Sequence, residues 1–174
     1  MKNFKEYLPQ VQAMIFDVDG VLSAASITLH PNGEPMRSVN TKDGYALHYA
    51  VLKKMPIAII TGGKTEAVRI RFEALGIKEV HMNVHIKMEV LKDFLKTYHL
   101  APENVLYMGD DIPDYEVMQF VGIPVCPADA VPEIKAISLY ISDKNGGEGC
   151  VRDIVEQVLK SQGKWMDSKE AFGW

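Results

Sequence analysis

The stretch Val11-Gln12-Ala13-Met14-Ile15-Phe16-Asp17-Val18-Asp19-Gly20 decides the fold of this chain. An apolar run that stops at a carboxylate predicts a strand buried on both faces, with Asp17 delivered to its C-terminal edge. Strands of that kind belong to parallel sheets covered by helices, and the chain repeats the pattern. Pro56-Ile57-Ala58-Ile59-Ile60-Thr61 and Asn104-Val105-Leu106-Tyr107-Met108-Gly109 read as two more buried strands, the second running into Asp110. Shorter strands are expected at 79–82, 123–126 and 138–141. Helices are expected at 43–54, 64–75, 86–98 and 115–120. In the second of these Val68, Phe72 and Leu75 share a face and Gly76 is the stop signal. A last helix carries Val151, Ile154, Val155, Val158 and Leu159 at i, i+3, i+4, i+7 and i+8. Strands alternating with helices predict an α/β fold, a doubly wound and mostly parallel sheet in one domain over 1–174. Segments 27–29 and 36–39 flank Pro31-Asn32-Gly33-Glu34, which predicts a β-hairpin insertion over about 24–40. A tail over about 163–174 follows the last helix.

Composition narrows the function classes. The 174 residues are enough for one domain with a real core, and 47% hydrophobic against 24% charged residues is globular usage. A net charge of −4 leaves no basic footprint for a nucleic-acid backbone. Cys126 and Cys150 cannot form a disulfide framework, and nine methionines fit a reducing compartment. No uncharged apolar run approaches the ~18 residues that cross a bilayer. Met1-Lys2-Asn3-Phe4-Lys5-Glu6-Tyr7 is too charged for a signal peptide. A soluble cytoplasmic protein is the expectation, with no nucleic-acid or membrane partner.

Open parallel sheets bind ligands beyond the carboxyl ends of their strands, and Asp17, Thr61 and Asp110 all fall there. Asp17 and Asp19 stand at i and i+2, so in extended chain both carboxylates leave on one side. They repel each other unless a cation lies between them. Gly20 permits the sharp turn that follows. Taken singly, each feature has a simpler reading. Asp17 to Gly20 could be a surface turn, Thr61-Gly62 another turn, and Lys87 a solvated lysine. Asp110, Asp111 and Asp114 could cap the following helix. Together and in this order they supply the nucleophile, metal ligands and neutralising donors that phosphoryl transfer needs.

The order Asp17-Val18-Asp19-Gly20, Thr61, Lys87, Gly109-Asp110-Asp111-x-x-Asp114 resembles the four motifs of the haloacid dehalogenase superfamily. Nearly the whole chain, from 11 to 164, is similar to one capless family within it, the 3-deoxy-D-manno-octulosonate 8-phosphate (KDO 8-phosphate) phosphatases. The stretches that carry this are Asp17 to Ser23, Asn40-Thr41-Lys42-Asp43-Gly44-Tyr45, Thr61-Gly62-Gly63-Lys64, Arg71, Gly109-Asp110-Asp111 and Gly146-Gly147-Glu148-Gly149-Cys150-Val151-Arg152. The resemblance implies a Mg²⁺-dependent phosphatase of lipopolysaccharide sugar biosynthesis. In it Asp17 is the nucleophile and Asp19 the general acid and then base. Mg²⁺ is held by the carboxylates of Asp17 and Asp110 and the backbone carbonyl of Asp19, with Asp111 and Asp114 orienting that shell. Thr61 and Lys87 hold the phosphate. Asn40, Thr41, Lys42, Asp43, Gly44, His48, Gly62, Gly63 and Arg71 line the substrate pocket.

Two positions depart from the family pattern: Gly63 and His48 stand where octulosonate phosphatases have arginine. A related capless phosphatase of nine-carbon sugar acids, such as KDN 9-phosphate, is therefore the alternative substrate class. A phospho-accepting receiver domain is the alternative of a different kind, but there the acidic pair precedes the phosphorylated Asp, whereas here Asp19 follows it. The segments between Asp17, Thr61 and Lys87 are too short for a cap domain, so the resemblance implies a homotetramer in which a neighbouring subunit's hairpin covers the site. Arg71 is the residue expected to hold a substrate carboxylate, its alternative being a solvated pair with a nearby Glu. Trp165, Phe172 and Trp174 make the tail aromatic enough to dock, on a neighbouring subunit or on its own domain.

Overall fold

The computed structural model describes residues 3–173; Met1, Lys2 and Trp174 lie outside the described residues. In chain order the elements are β1 (Ala13–Phe16), β2 (Thr28–Leu29), β3 (Pro35–Met36), α1 (Thr41–Leu52), β4 (Ile57–Ile60), α2 (Glu66–Glu73) and β5 (Glu79–His81). After these come α3 (Lys87–Tyr98), β6 (Val105–Met108), α4 (Tyr115–Phe120), β7 (Ile123–Cys126), α5 (Pro132–Ile137), β8 (Tyr140–Ile141) and α6 (Cys150–Ser161). Six strands form one sheet in the order β5-β4-β1-β6-β7-β8, every neighbouring pair parallel. β2 and β3 form a separate antiparallel hairpin.

The central strands alternate between two cores. Met14, Phe16, Ile57, Ile59, Leu106 and Met108 face a core shared with α1, α2 and α6. Ala13, Ile15, Ala58, Ile60, Val105 and Tyr107 face α3, α4 and α5. Burial on both faces explains the unbroken apolar runs in the sequence. Each fully buried Phe, Ile or Met contributes about 1.5–3 kcal/mol. The crossing of the sheet by two helical layers puts the ends of β1, β4 and β6 at one edge, open between the layers.

Several boundaries differ from the sequence expectation for local reasons. α1 begins at Thr41 because Asn40 caps it, its side chain accepting from the Lys42 N–H at 2.8 Å. α5 has only six residues, too few for a periodic signal, and starts on Pro132, whose fixed φ suits a first turn. The hairpin strands are two residues each, turned by Gly33 at φ +85°. The described part of the tail docks on its own domain through Trp165 and Asp167, while Phe172 stays exposed. Trp165 packs edge-on to Tyr45 and Tyr49 beneath the Arg152 guanidinium, and Asp167 accepts from the Tyr49 hydroxyl and pairs with Lys53 at 2.7 Å. Among the described residues no helix is long and apolar enough to cross a membrane.

Candidate active site

β1 ends at Phe16, so Asp17 emerges at the open edge, where its N–H still donates to the Met108 carbonyl of β6 at 3.1 Å. Its carboxylate is nearly buried. One oxygen accepts from the Val18 N–H at 2.6 Å and the other lies 2.7 Å from the Lys87 ammonium. Lys87, the first residue of α3, is buried and also pairs with Asp114 at 2.7 Å. Asp114 has no exposure at all. The same oxygen that meets Lys87 accepts from the Tyr107 hydroxyl at 2.6 Å, and its other oxygen accepts from the Asp110 N–H at 3.2 Å. Asp114 thus aims Lys87 at Asp17 and fixes the backbone of Asp110. Tyr107 was hidden in the sequence within an apolar strand; the one available signal is that a buried Tyr hydroxyl needs a partner.

Burial and the neighbouring Asp114 charge push the Asp17 carboxyl up to about 8, against the pull of Lys87. Asp110 rises to about 7 through burial and the charges of Asp114 and Asp111. Burial alone would lower Lys87, but the two carboxylates outweigh it and hold the ammonium above its usual value. Carboxylates this hard to ionise mark a place where positive charge is wanted.

Carboxylate oxygens of Asp17, Asp110 and Asp114 lie within 4.8 Å of one another. Gly20, at φ +82°, passes so close that a Cβ there would overlap the Asp110 carboxylate. The donors are all hard oxygens, which fits Mg²⁺. Asp111 does not join them. Its side chain turns outward to accept from the Ile112 N–H at 2.8 Å, capping a short 3₁₀ turn, and the residue is exposed.

Asp17 and Asp19 share a cleft of about 310 Å³ with Thr61, Gly62, Gly63 and Lys87. The buried Thr61 hydroxyl accepts from the Gly63 N–H at 3.0 Å, shaping the loop beyond β4. Asp19 accepts from the Ser23 hydroxyl at 3.3 Å and from Arg37, whose Nε and Nη2 reach its two oxygens at 2.5 and 2.9 Å. Arg37 was missed in the sequence, where it is a lone base in a polar hairpin.

The remaining pocket residues divide. Arg71 lies across α1, its Nη2 only 2.6 Å from where a Cβ on Gly44 would be, so Gly44 and Arg71 do meet. Asp43 does not reach the cleft: it is 1% exposed and accepts from the Arg152 N–H at 2.6 Å, capping α6, whose own N-cap residue is the side-chain-free Gly149. Thr41 and Lys42 line a different groove, with Tyr45 and Arg152. Asn40 spends its side chain on the Lys42 N–H and the Gly147 carbonyl. The His48 ring turns to the Leu75 carbonyl at 3.1 Å.

The family model for haloacid dehalogenase-like hydrolases matches residues 64–154. A 3-deoxy-D-manno-octulosonate 8-phosphate phosphatase of Salmonella typhi is 38% identical over 159 residues, covering 91% of this chain and 85% of the relative. The crystal structure of the phosphatase of that name from Yersinia pestis gives a TM-score of 0.89 at 32% identity, covering 92% of this chain and 87% of that one. The Moraxella catarrhalis phosphatase, solved in complex with magnesium ion, phosphate ion and KDO, gives 0.88 at 28% identity, covering 92% of each chain.

Proposed function

Because the chain belongs to the haloacid dehalogenase-like hydrolases, and within them to the 3-deoxy-D-manno-octulosonate 8-phosphate phosphatase family, we propose that it hydrolyses that sugar acid phosphate to KDO and inorganic phosphate. The observation that carries the reading is the buried Asp17, aimed by Lys87 and adjoining Asp110, with Asp19 two residues on in the same cleft.

The carboxylates of Asp17 and Asp110 and the carbonyl of Asp19 would hold a Mg²⁺, which would supply positive charge to the phosphate oxygens. The Asp17 carboxylate attacks phosphorus, the bond from phosphorus to the sugar oxygen breaks, and the departing oxygen takes a proton from the Asp19 carboxyl. Lys87 and Thr61 neutralise charge on the transferring group, where a loose transition state concentrates it. Asp19, now a carboxylate, takes a proton from the water that releases phosphate from Asp17. Asp114 and Tyr107 keep Lys87 in place throughout. Arg71, which pairs with no acid among the described residues, supports the binding of a substrate carboxylate.

Among the described residues no cap covers the cleft, and Leu29 (71% exposed) and Met36 (46%) stand out on the hairpin. This supports a homotetramer in which a neighbouring copy's hairpin closes the site. The two free, buried cysteines fit a cytoplasmic enzyme, and the product fits lipopolysaccharide sugar biosynthesis.

The test is kcat/KM of the purified protein with Mg²⁺ on KDO 8-phosphate and KDN 9-phosphate side by side. Preference for the eight-carbon ester is expected. Preference for the nine-carbon ester would move the assignment to the nine-carbon class, which the departures at Gly63 and His48 leave open.

A further inference from the structure

Arg37 faces two ways. Its Nε and Nη2 each donate to one oxygen of Asp19, and its Nη1 donates to the Thr65 hydroxyl at 3.1 Å. A guanidinium carries five N–H donors. One N–H on Nη1 and one on Nη2 therefore remain without a partner among the described residues. Yet the side chain is only 7% exposed, although Met36 and Ser38 on either side of it in sequence are exposed. Nη1 and Nη2 each already have one partner, and the second N–H on each can serve a further acceptor.

Space and charge both say which acceptor. Nη2 lies 3.1 Å from where a Cβ on Gly63 would be, so the guanidinium packs directly against a glycine that lines the catalytic cleft. On its other side Arg37 lines a cavity of about 380 Å³ with Arg71, Val39, Thr65 and Val68. Two guanidinium groups share that cavity, and Glu34, which also lines it, pairs with neither. An anion is the complement to such a place, and a carboxylate matches a guanidinium geometrically.

We propose that Arg37 is a specificity-determining residue of this phosphatase: its spare N–H groups on Nη1 and Nη2 receive the carboxylate of the sugar acid while its Nε–Nη2 edge holds Asp19. One side chain then senses the acid end of the substrate and positions the group that protonates the leaving oxygen. The proposal rests on the reading of the protein as a sugar acid phosphatase.

Steady-state kinetics with Mg²⁺ on wild type, Arg37→Ala and Arg37→Lys test it, using KDO 8-phosphate, the carboxylate-free arabinose 5-phosphate, and KDO as an inhibitor. Arg37→Ala is expected to lower kcat on both esters alike, because Asp19 is loosened. It is also expected to raise the KM for KDO 8-phosphate and the Ki for KDO by about 10- to 100-fold, the loss of a charged hydrogen bond. The KM for arabinose 5-phosphate should rise far less. Arg37→Lys, a smaller disturbance to the fold, should recover kcat on both esters and keep most of the loss in Ki. Equal KM rises on both esters, an unchanged Ki for KDO, or a Ki recovered in Arg37→Lys would each overturn the proposal while leaving the activity standing. A wild-type protein inactive on KDO 8-phosphate would instead overturn the reading beneath it, and the proposal too.

Discussion

Gly20 and Asp110 contend for one place: the backbone of Gly20, at φ +82°, passes where any side chain would overlap the Asp110 carboxylate. The turn after β1 and the acid after β6 are thereby fitted to each other, although 90 positions apart in number. Gly20→Ala is expected to cost about 1–3 kcal/mol from the left-handed backbone alone. It should also displace Asp110 and weaken Mg²⁺ binding sharply, which calorimetric titration reads. Undiminished Mg²⁺ affinity would separate Asp110 from the metal.

Asp17→Asn keeps the shape of the nucleophile and removes its charge. Turnover should fall to background. Because burial and Asp114 hold the wild-type carboxyl at about 8, the neutral variant should melt no lower than wild type in metal-free buffer at alkaline pH. A clearly lower Tm would mean that the ion pair with Lys87 outweighs the cost of burying the charge.

The raised acids give the metal-free protein a definite pH dependence. Asp17 moves from 3.8 to about 8 and Asp110 from 3.8 to about 7, so between those limits the folded state binds more protons than the unfolded one. Their contribution is stabilising at low pH and is lost as pH rises through that window. Mg²⁺, which needs the ionised carboxylates, should stabilise more as pH rises. Thermal melts with and without Mg²⁺ across this range check both trends. A Mg²⁺ effect that shrinks with rising pH would contradict the assignment.

Asp43→Ala removes a cap donated to α6 from another helix. A loss of about 1–2 kcal/mol is expected, read by denaturant unfolding. The KM for the sugar acid phosphate should not move. A raised KM with unchanged stability would return Asp43 to the substrate pocket.

The fold and the candidate site are legible because double-sided burial writes itself as continuous apolar runs, and each motif residue follows directly on such a run or opens a helix. Asp17, Thr61, Lys87 and Asp110 are read that way, and the fold brings Asp17, Thr61 and Lys87 into one cleft with Asp110 beside Asp17. Arg37 and Tyr107 are not read that way. Arg37 meets Asp19 across 18 positions of chain, a contact between distant residues that no local pattern records. Tyr107 lies in β6 like its apolar neighbours, and its partner Asp114 comes a turn later. The stretch from Asn40 to Gly44 does not line one groove: its side chains go to different places. On a helix, successive side chains turn by about 100°, so Asp43 caps α6 while Gly44 faces Arg71.

The central claim is that phosphate passes through Asp17, and chemical trapping during turnover tests it most directly. Protein mixed with excess KDO 8-phosphate and Mg²⁺, then quenched with borohydride, should have the acyl phosphate at residue 17 reduced to homoserine, detected by peptide mass spectrometry. The account predicts that modification at Asp17, dependent on substrate and Mg²⁺ and absent from Asp17→Asn. Steady hydrolysis with no reduction at Asp17, or with reduction at another carboxylate, would contradict it.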